Sequence, residues 1–329
     1  MIQDPAHAAT ERLIKQYEKR IKKEYKQAAK ELEEKFNDYC RRFSIKYEIK
    51  LKQLANKEIT KAEFEYWVKG QLFIGTRWNE MQRTVAEDLL NTNAKARGMA
   101  FGYQAEAYAL NHDYATFLVE KGSLVDTSYT LYNRQAAERM IRNERVLPKM
   151  SNLVKEEIAR GKAIQWQKGQ IQSVTLQSVL QGESIPKTAK RIAENLSTRN
   201  AAAAVRYART AMTEAENAGR QDAFVRATSL GIKTRKQWIA TPDDRTRDSH
   251  RQLDGEIVDT NDKFSNGLEY PGDPNGAAAE VWNCRCSMAP ALEGFDNDIS
   301  DQTKRFSRLG DMDYTVWKAG RKRRQKDGH

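Results

Sequence analysis

Apolar residues recur along the start of the chain at Ile14, Tyr17, Ile21, Tyr25, Ala28, Leu32, Phe36, Tyr39 and Phe43. The steps between them are 3, 4, 4, 3, 4, 4, 3 and 4, an 11-residue repeat. At about 3.67 residues per turn, such a stripe stays nearly straight along a helix. It predicts one helix of ~35–45 residues, roughly 50–65 Å long. The stripe is too narrow for a helix surrounded by core, so the helix should pack on a partner or on another long helix. Residues 43–51 (FSIKYEIKL) also alternate with period two, the rhythm of a strand. Phe43, Tyr47, Leu51 and Leu54 continue the helical stripe, and helix is the reading kept.

Beyond it, Thr60 and Glu63 have capping-box spacing at the head of a second helix. Proline, which breaks helix interiors, is absent between Pro5 and Pro148. Further helices are expected over 78–118 in two or three pieces, over 130–143 and over 151–181. Ser184 should cap another through about residue 196, with Pro186 in its first turn. The next should run from about 199 to a C-cap at Gly231. KTRKQWIAT then reads as a strand, and glycine, proline and aspartate become frequent. The fold class is mainly α with a small α+β C-terminal module. Its parts are an extended helical region for binding a partner or for self-association (1–120), a helical middle region (121–232), a compact Cys/His module (233–300) and a basic, disordered tail (301–329).

At 329 residues, with 39% hydrophobic and 31% charged, the chain has room for two domains. No apolar run approaches the ~18–20 residues that span a bilayer. MIQDPAHAATERLIKQ lacks an apolar signal core, so export by a signal peptide is not expected. Three cysteines make no disulfide framework, which suits a reducing cytoplasm. The net charge of +11 is uneven: residues 241–300 hold 13 acidic and 5 basic residues, leaving 32 and 51 elsewhere. Lys318, Arg321, Lys322, Arg323, Arg324 and Lys326 crowd the tail, which could neutralise nucleic-acid phosphates without reading sequence or simply solubilise the terminus.

The candidate chemistry lies between Trp238 and Pro290. Such a loop-rich stretch should bury little apolar surface, so an ion is the expected cross-link. Cys284 and Cys286 flank one residue and His250 lies 34 positions upstream; thiolate and imidazole are preferred zinc ligands. Asp248, Asp254, Glu280 or water would supply the fourth ligand. The alternative is that the cysteines are small buried hydrophobes and His250 caps a loop. His7, His112 and His329 read as surface residues. Asp243, Asp244 and Asp248 ahead of His250 admit a metal-dependent nuclease or toxin-like effector, although clustered aspartate is ordinary at a turn before a helix. The loop Gly267-Leu268-Glu269-Tyr270-Pro271-Gly272-Asp273-Pro274 has a rigid, turned backbone, fit for a contact surface or a plain connector.

One ordered set of residues carries a family resemblance: Trp238, Ala240, Asp243, Arg245, Thr246, Arg247, His250, Leu253 and Gly255, then Leu268, Tyr270, Pro271, Gly272, Asp273 and Pro274, then Asn283, Cys284, Arg285 and Cys286. It resembles the phage Mu protein F-like family of head morphogenesis (minor head) proteins. QGESIPKTAKRIAENL and the helix holding Ala208, Arg209 and Thr210 also fit, so the likeness spans about residues 125–292. It implies a minor, non-catalytic component of a tailed-phage head, inside the capsid at the portal vertex after assembly in the host cytoplasm. The partners implied are the portal protein, other head proteins and packaged DNA, met through the basic tail, with no membrane. The His and Cys positions look like a Zn2+ site. Asp254 departs from relatives that carry histidine there, which leaves the fourth ligand open.

Overall fold

The computed structural model describes residues 4–41, 44–72, 76–123, 125–132, 134–144, 153–292 and 313–327. Its helices are α1 (Pro5–Cys40), α2 (Ser44–Ala55), α3 (Lys61–Leu72), α4 (Thr76–Ser123), α5 (Arg134–Glu144), α6 (Leu153–Leu180), α7 (Ile185–Ser229), α8 (Asp248–Gln252), α9 (Ala278–Val281) and α10 (Tyr314–Asp327). Three strands, β1 (Thr234–Ile239), β2 (Ile257–Asp259) and β3 (Ser287–Leu292), form one antiparallel sheet in the order β2-β1-β3. Phe43 and His329 lie outside the described residues.

Two expected breaks are absent. The region read as two or three pieces is one helix of 48 residues, α4. The two helices expected on either side of residues 196–199 are a single 45-residue helix, α7. Neither interior holds a proline or a paired glycine to open the i→i−4 ladder. The boundaries with local chemistry stand where expected. Thr60 N–H donates to Glu63 Oε2 at 2.8 Å and Glu63 N–H to Thr60 Oγ1 at 3.2 Å, the reciprocal capping box. After α7, Ile232 N–H reaches back to Ala227 O at 3.1 Å, with Gly231 in the left-handed region.

The chain forms two compact units, neither of which follows the four sequence segments: Met1–Tyr17 with Met99–Pro148 and Arg206–His329, and Glu18–Gly98 with Lys149–Val205. In the second unit, Leu32, Phe36 and Cys40 of α1 are buried with Val85 and Leu89 of α4, Ile171 of α6, and Ile192 and Leu196 of α7. The 11-residue stripe is therefore consumed inside the chain, on another long helix rather than on a partner; Ile21 and Tyr25 are 0% and 1% exposed. Tyr25 gains a polar partner there too, in Asn93 of α4.

In the first unit the sheet packs with the C-terminal parts of α4 and α7. Trp238, Leu253, Phe264, Leu268, Tyr270, Val281 and Met288 share one core with Tyr108, Ala215 and Phe224. This corrects the expectation that the module buries little apolar surface: it borrows helical faces that the local sequence cannot reveal. The helices cross closely here, since a Cβ on Gly219 would stand 2.5 Å from Tyr108 O. His112 is likewise no surface residue: it is 1% exposed, stacked on Tyr129 and edge-on to Tyr132, and burial holds its pKa down at about 3. His7 is part-buried and hydrogen-bonds Glu216 at 2.9 Å.

The segment expected to be a disordered tail contains α10, an ordered helix from Tyr314. Trp317 packs with Phe117, Tyr129 and Leu131 and donates Nε1–H to Glu120 at 2.7 Å. Arg321, 3% exposed, pairs with Glu120 at 2.6 Å and Asp126 at 2.5 Å; Arg324 pairs with Asp126 at 2.9 Å and Lys318 with Asp113 at 3.3 Å. Half of the residues read as nucleic-acid contacts thus neutralise carboxylates of the chain itself, while Lys322, Arg323 and Lys326 are exposed.

Candidate metal centre

The site begins where β1 ends. Trp238 is fully buried and stands edge-on to the His250 ring, centroids 5.2 Å apart. The chain then turns: Thr246 Oγ1 donates to Thr241 O at 2.5 Å, and Arg245 N–H to Asp243 Oδ1 at 3.0 Å. Asp243 receives both guanidinium nitrogens of Arg285, one at 2.6 Å, and this pairing holds its carboxyl well below the usual range. Arg245 pairs with the same carboxylate at 3.4 Å, and Arg247 bonds the Trp282 carbonyl. The aspartate cluster is thus a braced turn, and Asp243 is spoken for by arginine.

Helix α8 presents His250, which is 1% exposed. Its Nδ1 lies 3.6 Å from Cys284 Sγ and 3.5 Å from Cys286 Sγ. The three ligating atoms all fall within 4.8 Å of one another, and every residue of the set is buried. On the opposite side of the ring, Nε2 meets Glu280 Oε2 at 2.8 Å, and Ser249 Oγ donates to the same oxygen at 3.2 Å. The S–H of Cys284 bonds Cys286, so the Cys286 thiol titrates below, and the buried Cys284 thiol well above, the ordinary range.

Of the carboxylates considered as a fourth ligand, Glu280 holds the far nitrogen, and Asp254 Oδ1 accepts the Ala240 N–H at 2.8 Å. The Asp248 side chain is 90% exposed and pairs with Arg251. Gly255 N–H closes the hairpin onto Trp238 O at 2.9 Å.

Helix α7 fixes the cysteine loop from below. Thr210 Oγ1 accepts Asn283 N–H at 3.1 Å, Thr213 Oγ1 donates to Cys284 O at 2.9 Å, and Asn217 Nδ2 donates to Cys286 O at 3.0 Å. Spacing of 3 and 4 puts these three side chains on one helix face. Asn283 adopts φ +59°, a left-handed turn that asparagine tolerates. Thr213, Asn217 and Ser249, and the orienting place of Glu280, escape sequence reasoning; the Thr/Asn spacing along α7 was the one signal on offer.

The Tyr270–Pro274 loop also rests on α7. Asp273, 1% exposed, accepts N–H groups of Glu269 at 3.0 Å and Asn275 at 2.9 Å. Buried Lys236 donates to Glu269 O at 2.8 Å, and burial lowers its pKa to about 8. Tyr270 is buried against the core, so this loop is an internal brace.

Fold and site together define a helical scaffold carrying a small Cys/His α+β module. Residues 169–289 match the family described as Phage Mu protein F like protein. Over 154 residues it is 28% identical to the minor head protein GP7 of Bacillus phage SPP1, covering 44% of this chain and 49% of that one. It is also 32% identical over 122 residues to an NAD(+)–arginine ADP-ribosyltransferase EFV of Enterococcus faecalis, covering 36% of this chain and 25% of that protein. The chain thus spans half or less of the curated relatives it matches. No solved structure matches it.

Proposed function

We propose that this chain is a minor head protein of a tailed phage, residing inside the capsid at the portal vertex and acting in head assembly, DNA packaging or DNA delivery. The observation that carries this reading is the 28% identity to SPP1 GP7 over 154 residues, beside the family match over residues 169–289, which include the cysteine module. Among the described residues no helix is long and apolar enough to cross a membrane. Portal and head proteins are the proposed partners, met through surfaces other than the buried α1 stripe.

For packaged DNA we assign the contact to the second unit rather than to the tail. That unit holds 28 basic and 17 acidic residues, so the whole net charge of +11 resides in it and the first unit is neutral. Lys19, Lys23, Lys26 and Lys30 are exposed on one face of α1 there.

Deleting the gene and characterising the particles tests the proposal. Mass spectrometry should find the polypeptide in wild-type heads, and mutant heads should lose DNA content or infectivity. Normal, fully infectious particles without it would overturn the reading.

A further inference from the structure

We infer that His250 Nδ1, Cys284 Sγ and Cys286 Sγ hold one zinc ion, that Glu280 sets the ligating face of the histidine, and that the ion bolts α8 to the cysteine loop. This is independent of the phage-head reading. Zn–S bonds near 2.3 Å and Zn–N bonds near 2.0–2.1 Å, at tetrahedral angles, require N···S edges of roughly 3.6 Å. The two edges here measure 3.6 and 3.5 Å. Simple packing of two thiols against an imidazole imposes no such equality.

The hydrogen bonds choose the same tautomer. Glu280, itself bonded by Ser249, accepts a hydrogen bond from Nε2–H, so the Nδ1 lone pair faces both sulfurs. A carboxylate behind a histidine is the usual outer support of a zinc ligand. Nearby acceptors are engaged elsewhere: the Cys284 and Cys286 carbonyls accept from Thr213 and Asn217, and Asp254 Oδ1 accepts from Ala240 N–H. Solvent is left as the fourth ligand. Trp238, Leu253, Phe264 and Met288 share the core with both cysteines, and these apolar, weakly polarisable surroundings strengthen ion–ligand attraction.

The full-length chain, expressed with zinc and stripped by chelator, provides the test. Native protein should carry close to one zinc per chain by elemental analysis. Stripped protein titrated with Co2+ should develop sulfur-to-metal charge transfer and the intense visible bands of a four-coordinate site. Cys284→Ser and Cys286→Ser should each abolish the charge-transfer band. Glu280→Gln should keep the spectrum at saturating metal and weaken zinc affinity ~10–100-fold, read by competition with a chromophoric chelator. Chelation of the wild-type protein alone should lower its Tm, so the inference stands or falls even if the serine variants do not fold. Folded protein with no stoichiometric metal, no charge-transfer band and an unchanged Tm under chelator would overturn the site; unaltered affinity in Glu280→Gln would overturn the role of Glu280.

Discussion

Arg220 Nη1 and Asp4 Oδ2 stand 2.6 Å apart, joining the start of α1 to a residue 216 positions later. The guanidinium is 1% exposed and also reaches Met288 O at 2.6 Å, Asn111 Oδ1 at 2.8 Å and Glu216 at 3.3 Å. Burial alone would raise the Asp4 carboxyl; the charge and hydrogen bond of Arg220 bring it below its ordinary range. Removing one partner leaves the other charges buried and unpaired. Arg220→Ala should therefore cost about 3–5 kcal/mol in urea unfolding. A loss below about 1 kcal/mol would show the hub to be energetically idle.

His7 makes the same corner pH-sensitive. Glu216 raises its pKa from 6.5 to about 9, against the opposing pull of burial. A raised imidazole stabilises fully below pH 6.5 and ceases to do so as pH climbs through 9. The wild type should lose at most about 3 kcal/mol across that window. In His7→Gln this component of the slope should vanish from denaturation curves taken from pH 6 to 10.

Glu214 provides a slope with a different cause. Burial, with Asp273 adding to it, lifts its carboxyl from 4.5 to about 8. The folded state keeps a proton that the unfolded chain releases above 4.5, so stability falls between those values and levels off beyond 8. Glu214→Gln removes the ionisation. Its Tm should match the wild type near pH 4 and exceed it at pH 8, by about 2–4 kcal/mol in stability. Equal Tm values at pH 8 would place an ionised, compensated carboxylate there.

Gly272 sits at φ +84°, and a Cβ on it would stand 3.1 Å from Glu214 N. Backbone of α7 cannot retreat as a flexible side chain would. Gly272→Ala should cost about 1–3 kcal/mol by calorimetry, from left-handed strain and this contact. A neutral result would mean that the loop lifts off α7 at little expense.

The DNA assignment separates two basic surfaces. Changing Lys19, Lys23, Lys26 and Lys30 to Glu should weaken retention on DNA and flatten the log K versus log[salt] slope by roughly 3–4. Changing Lys322, Arg323 and Lys326 to Glu should leave the slope nearly unchanged. The reverse pattern would return the contact to the C-terminal helix.

Local chemistry was readable in the sequence, and long-range partnership was not. The Thr60–Glu63 box, the Gly231 stop and the strand through Trp238 depend on neighbours a few residues away. The His250, Cys284 and Cys286 set was suggested by residue type, and the structure brings those side chains together. Pattern alone could show neither that the α1 stripe closes on α4 nor that α7 supplies Thr213 and Asn217 to the cysteine loop. Arg321 misled for a related reason: a run of cations reads as solvated until Glu120 and Asp126, nearly 200 residues earlier, are seen facing it.

The Arg220 hub also has a bearing on how the polypeptide is made. Asp4 is translated 284 residues ahead of the Met288 carbonyl that completes its cluster. At ~5–20 residues per second, the opening helix waits roughly 15–60 s for its final neighbours. Until then the Arg220 guanidinium lacks its Met288 acceptor, and the corner it ties to Asp4 stays half-assembled, an invitation to chaperones and to premature association between nascent chains.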